Sequence, residues 1–246
     1  MAISTVQDPK LVSAVMSKLE KSSGYDYLGK FILPNLAAYT IYLWGGSLRD
    51  SVVEQILGKE FDENRDIDIL VDDSQLEADL KNLLGHLDNI SFYKNGISKI
   101  KIGKDFTIDI SKFSNSQEFH NIPYVGFNKA SILNPEEVLK KCDFTVNSMM
   151  YDLGKNVIYD YLALDDIRSQ QIDLLCPREK PYTLMCRIIL LSEKLGFKIG
   201  NNAKKFIAMN YHKELDDDIQ SYMNYRGSIN KYQFLIERLR EIKNSS

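Results

Sequence analysis

Two stretches decide how this sequence is expected to fold, and they read Leu43-Trp44-Gly45-Gly46-Ser47-Leu48-Arg49-Asp50 and Asp66-Ile67-Asp68. The first predicts a β-strand over 40–44 that ends abruptly at a Gly-Gly turn. Ser47 is expected to cap a helix over 48–57, and Gly58 is expected to end that helix. The second stretch opens a predicted strand over 66–71, with apolar side chains on one face and carboxylates on the other. The local order is therefore strand, glycine turn, helix, loop and strand.

Sequence periodicity supplies the remaining predicted elements. Helices are expected over 9–20, over 25–39 with a break near Pro34, over 74–84 with Ser74 and Glu77 as a capping box, and over 135–151. Strands are expected over 97–102 and 106–111, which form a hairpin, and over 157–161. From Pro177 onward only helices are predicted, over about 181–196, 201–212, 214–225 and 229–243. The expected fold class is α+β, followed by an all-helical segment.

Charge is distributed unevenly along the 246 residues, whose formal net charge is −3. From Cys176 to Ser246, thirteen Lys and Arg stand against eight Asp and Glu, a charge of +5, and residues 1–175 carry −8. Composition and periodicity change at the same place, so we predict a head domain over 1–175 and a helical domain over 176–246. The acidic part is suited to metal ions and the basic part to phosphates.

The composition excludes several classes of protein. Hydrophobic residues make up 44% and charged residues 26%, which is typical of a globular protein and not of a disordered one. No apolar stretch approaches the roughly 20 residues that span a membrane, and the N-terminus lacks the pattern of a signal peptide. Cys142, Cys176 and Cys186 include no CxxC pair, which argues against a zinc ribbon or a disulfide framework. The expected location is the cytoplasm, with no membrane partner.

The carboxylates of the second stretch predict a metal site. Asp66 and Asp68 are two residues apart on a strand, so their side chains project from the same face. Paired carboxylates suit Mg²⁺ or Mn²⁺, with substrate phosphates as further ligands. Asp109 lies opposite the apolar face of the predicted hairpin and is the expected third carboxylate. Three carboxylates can hold two metal ions for an in-line displacement at phosphorus.

The glycine turn predicts a phosphate site beside these carboxylates. Gly45 and Gly46 allow the backbone to turn sharply and to approach a ligand closely. The following helix N-terminus offers N–H groups and a positive dipole end, and Ser47 adds a hydroxyl. Arg49 has two interpretations, since it can neutralise phosphate charge or form a local ion pair with Asp50.

These motifs resemble those of the class II tRNA nucleotidyltransferases, which are the CCA-adding enzymes and the bacterial poly(A) polymerases. Four segments carry the resemblance in the order of the family: 45–50 with 66–68, 142–152, 157–160 with 165–167, and 187–199. The similarity extends from about residue 40 to about residue 200. It implies a polymerase-β-like head with helices on a mixed sheet, followed by part of a helical neck domain.

The resemblance also implies roles for individual residues. Asp66 and Asp68 would be metal-binding catalytic carboxylates. Asp143 and its neighbours, Asn147 among them, would contact the sugar of an incoming nucleoside triphosphate. The neck helix that contains Arg187 would touch its base, and Tyr182 lies where the family reads that base. Nucleoside triphosphate and an RNA acceptor are thus the expected partners.

The chain departs from the family pattern at three places. Lys141-Cys142 stands where the family has two arginines, and Ile172-Asp173 stands where it has Ile-Arg. Residues 179–184 replace the Glu-Asp-x-x-Arg segment that selects C and A. The sequence also stops at Ser246, before the domains with which family members grip tRNA. We therefore expect transfer of a nucleotide to a hydroxyl acceptor, RNA above all, and we do not expect CCA addition.

Two alternatives accompany this expectation. One is a nucleotidyltransferase fold without catalysis, which binds a nucleotide or RNA as an interaction module. The other is RNA binding by a basic face of the helical segment, made of Lys194, Lys198, Lys204, Lys205, Arg238, Arg240 and Lys243. Acidic residues at 214 and 216–218 interrupt that face, so ordinary solvated helix surfaces explain the pattern as well.

Overall fold

Eight strands form one mixed sheet in the computed structural model, which describes residues 3–21, 24–61, 66–73, 78–93, 97–104, 106–113, 134–177 and 179–245. In chain order the strands are β1 (Ser4–Val6), β2 (Thr40–Trp44), β3 (Asp66–Asp72), β4 (Ile90–Phe92), β5 (Ser98–Ile102), β6 (Phe106–Lys112), β7 (Met149–Asp152) and β8 (Val157–Asp160). Their order across the sheet is β1-β8-β7-β2-β3-β6-β5-β4. β3 and β6 run parallel, and the other neighbouring pairs run antiparallel.

The parallel pair determines which face of the sheet is core. Ile67 lies beside Ile108 and Ile69 beside Ile110, and all four side chains are at most 1% exposed. Because side chains alternate along a strand, the residues between them lie on the opposite face. The alternation of isoleucine and aspartate in both strands therefore separates the core from the carboxylates.

This sheet belongs to the first of two compact units, which comprises Met1–Lys141 and Asn147–Tyr161. Its helices are α1 (Pro9–Lys21), α2 (Tyr25–Tyr27), α3 (Gly45–Leu57), α4 (Leu80–Leu84) and α5 (Pro135–Leu139). A π-helical turn over Leu28–Ile32 and a 3₁₀ turn over Leu33–Leu36 follow α2. Helix α3 lies against β3, and α1 lies against α3.

The second unit comprises Cys142–Val146 and Leu162–Ser246. Its helices are α6 (Ala163–Arg168), α7 (Pro181–Leu195), α8 (Asn201–Asn210), α9 (Asp216–Tyr225) and α10 (Tyr232–Ser245). Two short strands, β9 (Gln171–Ile172) and β10 (Lys198–Ile199), pair in parallel. Further 3₁₀ turns lie at Lys213–Leu215 and Ile229–Lys231, and the 3₁₀ turn Thr145–Asn147 has its last residue in the first unit. The domain division after Leu175 stays a prediction.

The α+β class, the strands that flank the glycine turn, the hairpin and the C-terminal helices are all confirmed. The helix predicted over 135–151 is wrong, because α5 ends at Leu139 and Met149–Asp152 forms the strand β7. Buried on every side, β7 has no alternating pattern, and pairing with β2 and β8 decides its structure. The predicted capping box at 74–77 lies outside the described residues.

The start of α3 also differs from its prediction. The helix begins at Gly45, so Ser47 is its third residue and not its cap. The cap position is Trp44, which makes no side-chain capping hydrogen bond. The predicted end is confirmed, because Gly58 adopts a left-handed conformation and its N–H donates to the Glu54 carbonyl. Within the described ranges, no helix combines the length and the apolar character needed to cross a membrane.

Candidate active site

A row of side chains crosses four strands on the face of the sheet opposite the isoleucines. Asp68 on β3 lies beside Asp109 on β6. Lys99 on β5 lies opposite Asp109, and Trp44, the last residue of β2, lies opposite Asp68. The structure thus brings two of the predicted carboxylates into direct neighbourhood and adds a lysine that the sequence analysis did not select.

Asp66 completes the carboxylate group in the next row of the same face. It lies beside Thr107 and is exposed. Burial, together with the charges of Asp66 and Asp109, raises the pKa of Asp68 from 3.8 to about 7. A hydrogen bond from the Gly46 N–H and the charge of Lys99 act in the opposite direction. A bound cation would stabilise the ionised form of Asp68, which this environment disfavours.

The glycine turn makes room for the Asp68 carboxylate. Gly45 has a φ of +76°, and a Cβ built on it would lie 2.2 Å from Asp68 Oδ2. The next residue, Gly46, donates its backbone N–H to the same carboxylate. The turn therefore positions Asp68 as well as starting α3. From the sequence, this turn was expected only to bind phosphate.

Lys99 holds the third carboxylate. Its Nζ lies 3.1 Å from Asp109 Oδ2, and both side chains are about two-thirds or more buried, with 32% and 26% of their surfaces exposed. Burial lowers the pKa of Lys99, but the hydrogen bond and charge of Asp109, with Tyr93 and Asp66, raise it overall. The other oxygen, Asp109 Oδ1, is buried without a hydrogen-bond partner among the described residues.

Ser47 supplies a second unpartnered polar group. The residue is 5% exposed, and its hydroxyl has no hydrogen-bond partner in the described part of the chain. It lies in the first turn of α3, where backbone N–H groups also lack helical partners. A polar ligand at this helix N-terminus would find a hydroxyl and N–H donors together.

Arg49 forms the local ion pair that was one of its two interpretations. Its Nε and Nη2 donate to Asp50 Oδ1 at 3.0 and 2.8 Å. Its Nη1 donates to Asn147 Oδ1 at 3.0 Å, which joins two residues predicted to bind nucleotide. Both members of the ion pair are buried, with Arg49 7% and Asp50 0% exposed. Arg49 is therefore engaged within the first unit, and a phosphate-binding role stays a prediction.

The residues present fit a divalent cation in part. Carboxylate oxygens are the donors that Mg²⁺ and Mn²⁺ prefer, and the buried, unpartnered Asp109 Oδ1 favours a polar ligand here. As the side chains stand, however, no group of three or more His, Cys, Asp or Glu in the described residues is arranged to hold a metal ion. Asp109 is instead engaged by Lys99, so the site of three carboxylates stays a prediction.

The second unit contains a separate charged cluster around Arg187. Its Nη1 lies 2.9 Å from Asp143 Oδ2 and 2.7 Å from Glu179 Oε1. The guanidinium also lies over the ring of Phe144, 5.0 Å from its centroid. The structure thus joins two residues predicted to bind nucleotide and adds Glu179, whose carboxylate belongs to the segment that departs from the family pattern.

Tyr182 lies in the first turn of α7, next to another aromatic residue. Its ring meets that of Tyr222 edge to face, with the centroids 6.4 Å apart and the planes at 66°. Lys180 Nζ lies 5.7 Å from the Tyr182 centroid. The tyrosine is only partly buried, so part of its ring is accessible to a planar ligand.

Asp173, which stands at the family's arginine position, has a structural role. Its carboxylate accepts hydrogen bonds from the N–H groups of Ala203 at 2.6 Å and Asn202 at 3.3 Å, in the first turn of α8. It also accepts the N–H of Leu174 at 2.9 Å. Gly200 lies so close that a Cβ there would be 2.5 Å from the Asp173 Cγ. The aspartate therefore caps a distant helix.

The predicted basic face of the helical segment is partly neutralised. Arg240 pairs with Asp216 at 3.1 Å, and Arg238 pairs with Glu241 at 2.6 Å. Lys243 Nζ donates to a backbone carbonyl, that of Ala208, at 2.7 Å. These contacts favour solvated helix surfaces over a dedicated RNA-binding face.

Comparison with known proteins places this arrangement in a family context. Residues 41–173 match the family described as the poly(A) polymerase head domain. A CCA-adding enzyme of Lactobacillus johnsonii is 23% identical over 182 residues, which are 72% of this chain and 42% of that enzyme. The chain spans less than half the length of that curated relative.

Solved structures agree with the fold. A tRNA-processing enzyme with CTP superposes with a TM-score of 0.58 at 19% identity, covering 87% of this chain and 56% of the other. A tRNA nucleotidyltransferase complexed with a primer tRNA and an incoming ATP analog gives a TM-score of 0.57 at 20% identity, covering 84% and 58%. The polymerase-β-like head predicted from the sequence, with helices after it, is the fold these structures share with the chain.

Proposed function

The chain belongs to the poly(A) polymerase head-domain family, and on this premise we propose that it transfers a nucleotide from a nucleoside triphosphate to a hydroxyl group of an RNA acceptor. The observation that carries the proposal is the group of Asp66, Asp68 and Asp109 on one sheet face, seated against the glycine turn that starts α3. The proteins that are similar to this chain are named as a CCA-adding enzyme, a tRNA-processing enzyme and a tRNA nucleotidyltransferase, which supports RNA as the acceptor.

The proposed reaction is a displacement at the α-phosphorus. The acceptor hydroxyl oxygen forms a bond to that phosphorus, the bond to the bridging oxygen breaks, and pyrophosphate leaves with the electron pair. Asp66 and Asp68 would hold a divalent cation, Mg²⁺ or Mn²⁺, which supplies charge stabilisation at the phosphoryl oxygens when bound. Asp109 is proposed to accept the proton of the acceptor hydroxyl. The two-cation form of this mechanism stays a prediction.

The N-terminus of α3 is proposed to bind the triphosphate. The unpartnered Ser47 hydroxyl and the N–H groups of the first turn are donors to phosphate oxygens. The N–H of Gly46 is already engaged by Asp68, so Ser47 carries more of this role than the glycines. The contacts of Asp143, Asn147, Tyr182 and Arg187 with sugar and base remain predictions that rest on the family resemblance.

A transfer assay tests this proposal. The protein is incubated with Mg²⁺, each labelled nucleoside triphosphate in turn, and total RNA. We expect labelled RNA with the natural sequence and none with Asp66→Ala or Asp68→Ala. Asp88→Ala is the matched control, since this exposed turn aspartate belongs to the same unit and should leave transfer unchanged. Unchanged transfer in both site variants would refute the assignment.

A second function is favoured by the ion pair of Lys99 with Asp109. A carboxylate held by a lysine is less available to a metal or a proton, as in a nucleotidyltransferase fold that binds a nucleotide or RNA without turnover. In that case the protein binds nucleoside triphosphate, yet releases no pyrophosphate with any acceptor. Measured pyrophosphate release in the same assay excludes this alternative.

A further inference from the structure

Lys99 is the cation that the described structure places among the three carboxylates. It lies opposite Asp109 in the β5–β6 ladder, and its ammonium is 3.1 Å from Asp109 Oδ2. The charges of Asp66 and Asp68 belong to the same sheet face. An ammonium in hydrogen-bond contact with one of three clustered carboxylates neutralises a charge that a second divalent cation would otherwise neutralise.

The two oxygens of Asp109 have different environments. Oδ2 is held by Lys99, whereas Oδ1 is buried without a hydrogen-bond partner among the described residues. A divalent cation held by Asp66 and Asp68 alone does not require the lysine contact to break. A second divalent cation that used Oδ2 would have to displace this lysine, and the ammonium beside that oxygen would repel it.

We propose that Lys99 is a positioning residue that takes the place of one metal ion, so that the carboxylate group binds one divalent cation and not two. This inference deepens the proposed function, because it concerns the same site. It assigns the remaining cation to Asp66 and Asp68. The lysine then holds Asp109 in position through the contact between Nζ and Oδ2.

The neighbouring lysine provides a matched control. Lys101 lies two residues further along β5, on the same face, opposite Thr107 and not opposite an aspartate. Removing either ammonium changes the net charge of the protein equally. A difference between the two variants therefore reports the position of Lys99 and not charge alone.

Mn²⁺ titration tests the inference without reference to activity. The chain is titrated with Mn²⁺ in the absence of nucleotide, and free Mn²⁺ is followed by its electron paramagnetic resonance signal. We expect one bound ion for the natural sequence, Lys101→Met and Lys99→Arg, and one additional ion for Lys99→Met. Circular dichroism identifies a variant that fails to fold, and Lys99→Thr then replaces Lys99→Met.

The outcomes separate this inference from the proposed function. Two ions in the natural sequence, no ion, or an equal number in Lys99→Met and Lys101→Met would each overturn it. If Lys99→Met gains an ion while the natural sequence labels no RNA, the lysine assignment stands and the transfer proposal fails. If the stoichiometry is unchanged while the natural sequence labels RNA, the reverse holds.

Discussion

The Asp68 carboxylate lies in the space where a side chain at Gly45 would otherwise be. A Cβ at Gly45 would lie 2.2 Å from Asp68 Oδ2, and the glycine φ of +76° is itself unfavourable for other residues. The glycine turn and the carboxylate are therefore one structural unit, although Gly45 begins α3 and Asp68 lies on β3.

Gly45→Ala is expected to displace the Asp68 carboxylate and to abolish most transfer. An alanine in this left-handed conformation lowers the free energy of unfolding by about 1–2 kcal/mol. A displaced Asp68 carboxylate lowers the transfer rate by about 10²-fold. Gly58→Ala is the matched control, because Gly58 has a φ of +66° and no atom within 4 Å of the added carbon. Urea unfolding and transfer rates are measured for both. Equal rate losses would contradict the prediction.

Asp68 is expected to make the metal-free protein less stable at higher pH. Its pKa in the folded state is raised to about 7 from 3.8, so the folded state binds more protons than the unfolded state between those values. The free energy of unfolding therefore falls as the pH rises through this window. In Asp68→Asn this component of the pH dependence disappears. The measurement is urea unfolding in chelator at pH 5 and pH 8.

If Asp68→Asn and the natural sequence lose the same free energy of unfolding between pH 5 and pH 8, Asp68 does not titrate in this range. Addition of Mg²⁺ at pH 8 should stabilise the natural sequence, because a cation favours the ionised carboxylate.

Asp173→Ala is expected to destabilise the second unit by about 1–2 kcal/mol, since it removes the cap of α8. The substitution leaves the N–H groups of Asn202 and Ala203 without their acceptor. Asp165→Ala is a suitable control, because the Asp165 side chain is 81% exposed. Chemical denaturation measures both variants, and similar losses for the two would argue against the capping role.

Tyr182→Ala is expected to change the preference among the four nucleoside triphosphates. Stacking of an aromatic side chain on a base contributes about 1–3 kcal/mol, which corresponds to roughly 5-fold to 160-fold in kcat/KM. Tyr225→Ala serves as the control, because that ring is 85% exposed on α9. Competition assays with mixed nucleotides measure the preference. An unchanged ratio among the four would remove Tyr182 from base selection.

The local alternation of side chains predicted much of the carboxylate site. Asp66 and Asp68 could be assigned to one face because two-residue periodicity is a property of any strand. Lys99 was predictable as well, since a hairpin turn at 103–105 pairs Ile102 with Phe106 and therefore Lys99 with Asp109.

Other features depend on contacts between distant parts of the chain. Residues 149–151 are an apolar run that suits a buried helix or a buried strand, and only the neighbouring strands β2 and β8 decide between them. The short strands β1, β9 and β10 have two or three residues each, too few for a periodic signal. The capping role of Asp173 connects residues about thirty positions apart and left no local pattern.

The alternation of isoleucine and aspartate in β6 means that one strand register determines both which residues enter the core and which face the carboxylate site. One residue inserted within this strand would turn Asp109 into the apolar interior and bring Ile108 or Ile110 to the opposite face. Descendants of this chain should therefore vary in length at loops and keep β3 and β6 at constant length. Changes that keep the lengths of these strands leave position 109 on the same face as positions 66 and 68.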